Sequence, residues 1–158
     1  MKISYRWLKR YLPIDLNPEL VSELLTDTGL EVEALNGAPG VRSARFAGEH
    51  ATDAENRALL LAKLDGVMNR SARFRTVVAL VSSKGDIHFV GGECIGTIAE
   101  SERGDSGFGY DALFIPTDGD GRTFAEMTGA EKDAVSHRGH ALAQVPELLA
   151  RIFGLPTP

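Results

Sequence analysis

The stretch RFRTVVALVSSKGDIHFVGGECIGTIA, residues 73–99, decides the fold. Its first nine residues are rich in β-branched and aromatic side chains, which suit a central strand. Ser82 to Asp86, with Gly85 inside, reads as a turn into a second strand at Ile87 to Val90. Gly91-Gly92 reads as another turn, into a third strand from Glu93 to about Ala99, so a three-stranded antiparallel meander is predicted. His88 has no second His or Cys at metal spacing near it and is expected to be satisfied locally or to face solvent.

Working outward, Thr52-Asp53-Ala54-Glu55 is a capping box, and Leu59, Leu60 and Leu64 give the helix that follows a buried stripe ending at Gly66. Gly37, Pro39 and Gly40 mark a firm turn, while Leu30 to Leu35 fits either a strand or a helical period. Asn17 before Pro18 caps a predicted helix with Leu20, Val21, Leu24 and Leu25 on one face, running to about Thr26 and stopped by Gly29. Tyr5, Leu8 and Tyr11 or Leu12 mark an earlier helix that Pro13 stops, with Lys2, Arg6, Lys9 and Arg10 on a solvated face. On the far side, Ala112 to Ile115 is a predicted strand ended by Pro116, and Asp118 to Gly121 a surface turn. Thr128 and Glu131 box the start of a helix carrying Lys132, Ser136 caps the next, and Pro146 bends or restarts the chain's last helix. The fold class is therefore α/β, a mixed twisted β-sheet with flanking helices.

Composition narrows the function. A chain of 158 residues, 43% hydrophobic and 25% charged, suits one domain with a sizeable core. A net charge of -5 offers nucleic acid no global positive field, so any phosphate must be met by a local cluster. Cys94 is the single cysteine, which leaves no disulfide framework and points to a reducing, cytoplasmic setting. No apolar run approaches the ~20 residues of a membrane span, and no signal h-region opens the chain.

Two stretches carry chemistry. In SGFGYDALF (106–114), Gly107 and Gly109 flank Phe108, so backbone can approach a ligand while a ring stays free to stack. In AEKDAVSHRGHAL (130–142), Lys132, His137 and Arg138 supply nitrogen donors suited to phosphate or to a base carbonyl. With Ser136 capping, His137 and Arg138 fall in a helix's first turn. Together the two stretches point to a nucleotide.

SGFGYD and SHRG closely resemble the purine-recognition segments of the inosine/xanthosine triphosphate pyrophosphatase family, and the resemblance extends from Thr28 through TGLEVEALNGAPGVRSARFAG. It implies a pyrophosphatase-like fold over about residues 34–158, a homodimer, magnesium (Mg2+) as cofactor, and purine nucleoside triphosphates (dITP, ITP, XTP) hydrolysed to monophosphate and pyrophosphate. Carried over residue by residue, it implies that Phe108 stacks on the purine and that Gly109, Tyr110 and Asp111 line base and sugar. Lys132, His137 and Arg138 would touch phosphate or base, Thr28 would contact substrate, and Ser43 and Arg45 would lie near the substrate or subunit region. Donors such as Arg138 suit a 6-oxo acceptor and leave adenine's 6-amino group unpaired.

The opening residues, Met1 to about Glu33, resemble instead the N-terminus of the phenylalanyl-tRNA synthetase beta subunit, which makes the chain look like a chimera joined between Thr26 and Glu33. The pyrophosphatase resemblance implies a Thr-Gly-Asn phosphate loop and a metal-holding glutamate that this opening does not match. It also puts the catalytic aspartate two residues before Thr28, where Thr26 stands, leaving Asp27 as the candidate base and metal ligand. Adjacent residues point to opposite faces of a strand, so Asp27 takes that role only if the backbone slips by one residue. Three functions stay open on sequence alone: the pyrophosphatase, a nucleotide-binding fragment without turnover, and a synthetase-related binding piece.

Overall fold

The computed structural model describes residues 21–82 and 85–153, with the backbone course alone for 21–28, 82 and 153. The expected helices at Tyr5 to Leu12 and from Asn17 to residue 20 lie outside the described residues. The sheet runs β2-β1-β3-β4-β5, with β1 Val21–Val32, β2 Pro39–Gly40, β3 Ser71–Ser82, β4 Ile87–Ile98 and β5 Phe114–Pro116. All four of these ladders are antiparallel. The helices are α1 Asp53–Lys63, α2 Gly129–Val135, α3 His137–Ala143 and α4 Val145–Phe153.

β3 is the central strand that its composition predicts. Ala72, Phe74, Thr76, Val78 and Leu80 turn to the buried face and Arg73, Arg75 and Val77 to the other, the period of two that a half-buried strand requires. Phe74 meets Phe114 edge-on at 4.8 Å between centroids, and Phe124 lies 5.0 Å from Phe114. Leu60 of α1 and Leu64, its C-terminal cap, belong to this core.

Two expectations are corrected. The helix predicted to run to Thr26 is instead strand from Val21, because β1 pairs with β3 from Glu23–Val81 to Val32–Ala72 and so satisfies its backbone across the sheet rather than within a helix. A local apolar stripe is a weak preference beside a ladder of that length. Gly91-Gly92 is not a turn either; β4 passes straight through it, and the predicted meander of three strands is one long hairpin. A Cβ on Gly92 would come within 2.1 Å of His137 O and 2.6 Å of Ala141 N, so this glycine exists to let α3 lie on the sheet.

The remaining elements follow local chemistry. Thr52 caps α1 with Glu55 reaching back, and Thr128 does the same for α2 with Glu131. Ser136 Oγ accepts from Gly139 N at 3.1 Å and starts α3 directly after α2. Leu30 to Leu35 splits between its two periods: strand to Val32, then a 3-10 turn over Glu33–Leu35. β5 begins two residues later than predicted and includes Pro116, because Leu113 N and Phe114 N first turn back to Tyr110 O.

Candidate functional site

Phe108 stands on the loop between β4 and β5 with its ring 56% exposed, between two glycines of positive φ, Gly107 at 82° and Gly109 at 60°. Lys132 Nζ lies 4.9 Å from the ring centroid and Arg138 Cζ 4.8 Å, so two cations lie within cation–π range of one ring. Lys132 comes from α2 and Arg138 from the first turn of α3; the shared boundary at Ser136 brings both to the same ring.

The lip is held from beneath. Asp111, buried, accepts from Phe108 N at 2.9 Å and from Lys132 Nζ at 2.5 Å. Tyr110, also buried, donates its hydroxyl to Ser43 O at 2.8 Å, and burial holds that hydroxyl protonated well above the usual tyrosine range. Ser43 is spent on both sides as well: its Oγ accepts from Leu30 N at 2.9 Å and donates to Gly40 O at 2.6 Å. Arg45 pairs with Glu49 at the surface.

His137 is 3% exposed and neither ring nitrogen has a hydrogen-bond partner. Its imidazole lies against Phe74, and burial, reinforced by Arg138, Lys132 and His140, lowers its pKa to about 3. It is therefore neutral at physiological pH and offers one donor and one acceptor. Phe108, His137 and Arg138 form the common wall of two cavities. One, of about 160 Å³, is also lined by Gly29, Ser43, Asp53 and Tyr110. The other, of about 610 Å³, is also lined by Ser106, Lys132 and Ser136. A third, of about 450 Å³, lies away from them beside Glu31 and Arg73, whose charges are paired at 2.7 Å.

Of the residues singled out from sequence, Phe108, Gly109, Tyr110, Asp111, Lys132, His137 and Arg138 converge on these cavities. Asp27 and Thr28 lie on β1, opposite Val77 and Thr76 of β3, with Gly29 next along lining the smaller cavity. Asp53 and Arg57 escaped sequence reading. Asp53 Oδ2 accepts from Gly109 N at 2.6 Å and Arg57 Nη1 donates to Gly109 O at 2.9 Å. Their segment reads as a helix cap, and nothing local signals a partner more than fifty positions away. Among the described residues no group of three or more His, Cys, Asp and Glu stands ready to hold a metal ion.

An exposed ring with two cations within 5 Å of its centroid, beside a neutral histidine with unpaired nitrogens, is the kind of site that suits a base and its phosphates. The comparisons agree in fold and in sequence. The Ham1 family model matches residues 16–148, and the chain belongs to the Ham1 family. The chain is 54% identical over 139 residues to a dITP/XTP pyrophosphatase of Mycolicibacterium paratuberculosis, an alignment covering 85% of this chain and 68% of that protein. With the dITP/XTP pyrophosphatase of Desulforamulus reducens it shares 48% over 132 residues, 82% of this chain and 65% of the relative. The solved HAM1 protein from Coxiella burnetii superposes with a TM-score of 0.75 at 42% identity, covering 81% of this chain and 66% of that one. The chain thus spans about two thirds of the length of the proteins it matches.

Proposed function

We propose that this chain binds 6-oxopurine nucleoside triphosphates (dITP, ITP, XTP) and hydrolyses them to the monophosphate and pyrophosphate. The observation that carries this is Phe108, half exposed, with Lys132 and Arg138 both within 5 Å of its ring centroid and His137 beside it. The purine stacks on Phe108, base–aromatic stacking of this kind being worth roughly 1–3 kcal/mol. The neutral His137 gives the base edge one donor and one acceptor. Arg138 and Lys132 supply positive charge to the 6-oxo group and the phosphates, and Gly109, Tyr110 and Asp111 shape the wall. Thr28 and Asp27 lie on β1, one and two residues before Gly29 of the smaller cavity.

Asp27 is assigned as the base that takes a proton from the water attacking the α-phosphate, with pyrophosphate leaving, on the one-residue slip of the β1 backbone that this role needs. Magnesium suits this site as an ion carried in by the substrate. The cavity's described carboxylates are committed, Asp53 to Gly109 N and Asp111 to Lys132 and Phe108 N, and Mg2+ needs only one or two carboxylates besides phosphates and water. Asp27 is the protein ligand we assign to it; the ion would neutralise charge on the phosphates.

The names borne by the Mycolicibacterium and Desulforamulus relatives support the substrate class. Of the synthetase-like opening, residues 1–33, we infer an origin separate from the 34–158 region, although the family match reaches back to residue 16. We further infer a cytoplasmic homodimer; Ile87 and Phe89, 57% and 65% exposed on the outer sheet face, support a self-contact. Among the described residues no helix is long and apolar enough to cross a membrane.

Pyrophosphate release from dITP, XTP, ATP and GTP with magnesium, beside Asp27→Asn, tests the proposal. Turnover of dITP and XTP abolished by the substitution supports it. Binding of dITP without turnover by the folded protein would replace the hydrolase with a nucleotide-binding function.

A further inference from the structure

We propose that Asp53 and Arg57 are positioning residues: from one face of α1 they clamp both ends of Gly109 and so fix the Phe108 ring in the orientation that receives the base. This rests on the nucleotide function proposed above and adds to it two residues, neither belonging to the glycine-rich loop nor to the cationic stretch.

Gly109 sits at φ 60° with nothing within 4 Å of where a Cβ would stand, so packing does not hold this residue of the lip. Its peptide groups are the available handles. Asp53 Oδ2 takes the N–H at 2.6 Å and Arg57 Nη1 reaches the carbonyl at 2.9 Å. Positions 53 and 57 are one helical turn apart and share a face, so a single rigid element supplies both contacts. Arg57 is itself steadied, its Nε lying 3.0 Å from Glu102 Oε2, and its side chain is 18% exposed.

The neighbouring position on the same turn of α1 holds a further part of the smaller cavity's wall. Asn56, buried, accepts from Ala47 N at 2.8 Å and donates to Ala44 O at 3.2 Å, and Ala44 lines the smaller cavity together with Phe108. One turn of helix thereby holds both parts of that wall. Asp111 anchors Phe108 N on one side of the ring; without the clamp the Gly109 side is free to turn, and stacking must select one orientation at the cost of affinity.

The test uses the full chain with dIMP as probe, read by titration calorimetry, together with amide hydrogen exchange at Gly109 and the separate KM and kcat for dITP. Asp53→Ala and Arg57→Met are expected to weaken dIMP binding about tenfold, the scale of one lost charge-assisted hydrogen bond. Asp53→Asn, which keeps an acceptor, is expected to stay within about threefold of the parent. KM for dITP should rise more than kcat falls. Exchange at Gly109 should quicken in Asp53→Ala while the interior amides of α1 keep their rates. Unchanged exchange at Gly109 overturns the clamp; faster exchange with unchanged dIMP affinity overturns its positioning role. A parent chain that binds no dIMP sinks the nucleotide function and the positioning role with it, whereas the exchange data still judge the clamp. If Asp53→Ala fails to fold, Arg57→Met, which leaves the capped turn of α1 intact, decides.

Discussion

The imidazole of His137 lies nearly parallel to the ring of Phe74, with centroids 4.7 Å apart and planes 12° apart. One ring belongs to the buried face of the central strand and the other to the first turn of α3, so the site's histidine is also a core residue. Burial, more than its cationic neighbours, is what keeps it neutral.

That dual position predicts a pH dependence of stability. The unfolded chain binds a proton at this histidine near pH 6.5 and the folded chain only near 3. Between those values the unfolded state holds more protons, so stability is fully present above about pH 6.5 and is lost as pH falls through the window. From pH 7 to 5 the loss from this group approaches about 2 kcal/mol. Urea midpoints measured at pH 7 and pH 5 should separate in the parent and nearly coincide in His137→Phe.

Phe108→Ala should separate affinity from stability. The ring is more than half exposed, so its removal should shift the urea midpoint by no more than about 0.5 kcal/mol equivalent. Loss of stacking at roughly 1–3 kcal/mol should raise KM for dITP by about five- to 150-fold. An unchanged KM in steady-state assays would place the base elsewhere.

Gly92→Ala tests the close approach of α3 to β4. The added carbon meets backbone, His137 O at 2.1 Å and Ala141 N at 2.6 Å, and backbone has little room to yield. A loss of about 1–3 kcal/mol is expected by denaturant titration, together with weaker nucleotide binding as α3 lifts and carries Arg138 away from Phe108. Gly91→Ala, whose nearest contact is 3.6 Å, is the control and should cost less.

Asn56→Ala should cost about 2–3 kcal/mol, because it leaves Ala47 N and Ala44 O without their partner in a buried place. Thermal melts monitored by circular dichroism give the number. A change below 0.5 kcal/mol, on the order of an ordinary surface substitution, would mean that water replaces the amide there.

Legibility in the sequence followed the range of the interactions. The capping boxes at Thr52 and Thr128, the cap at Ser136 and the strand at Arg73 to Val81 are all specified by residues within a few positions of one another, and the structure has each of them. Gly91-Gly92 misled because two glycines are locally the signal of a turn; the cause of the second, Gly92, is Ala141 and His137, some fifty residues on. Val21 to Thr26 misled for a similar reason, a helical stripe outweighed by pairing with β3. Asp53 and Arg57 showed only as helix-start chemistry, since their partner Gly109 is brought to them by the fold.

By itself, then, the sequence determined the fold class, the glycine-flanked ring at Phe108 and the cationic trio Lys132, His137 and Arg138, because these depend on residue type and short spacing. Only the tertiary structure decided that Lys132 and Arg138 meet at one ring, that His137 is neutral, and that α1 grips the lip. Distance and burial make those properties, and both arise from contacts between segments that the linear order keeps apart.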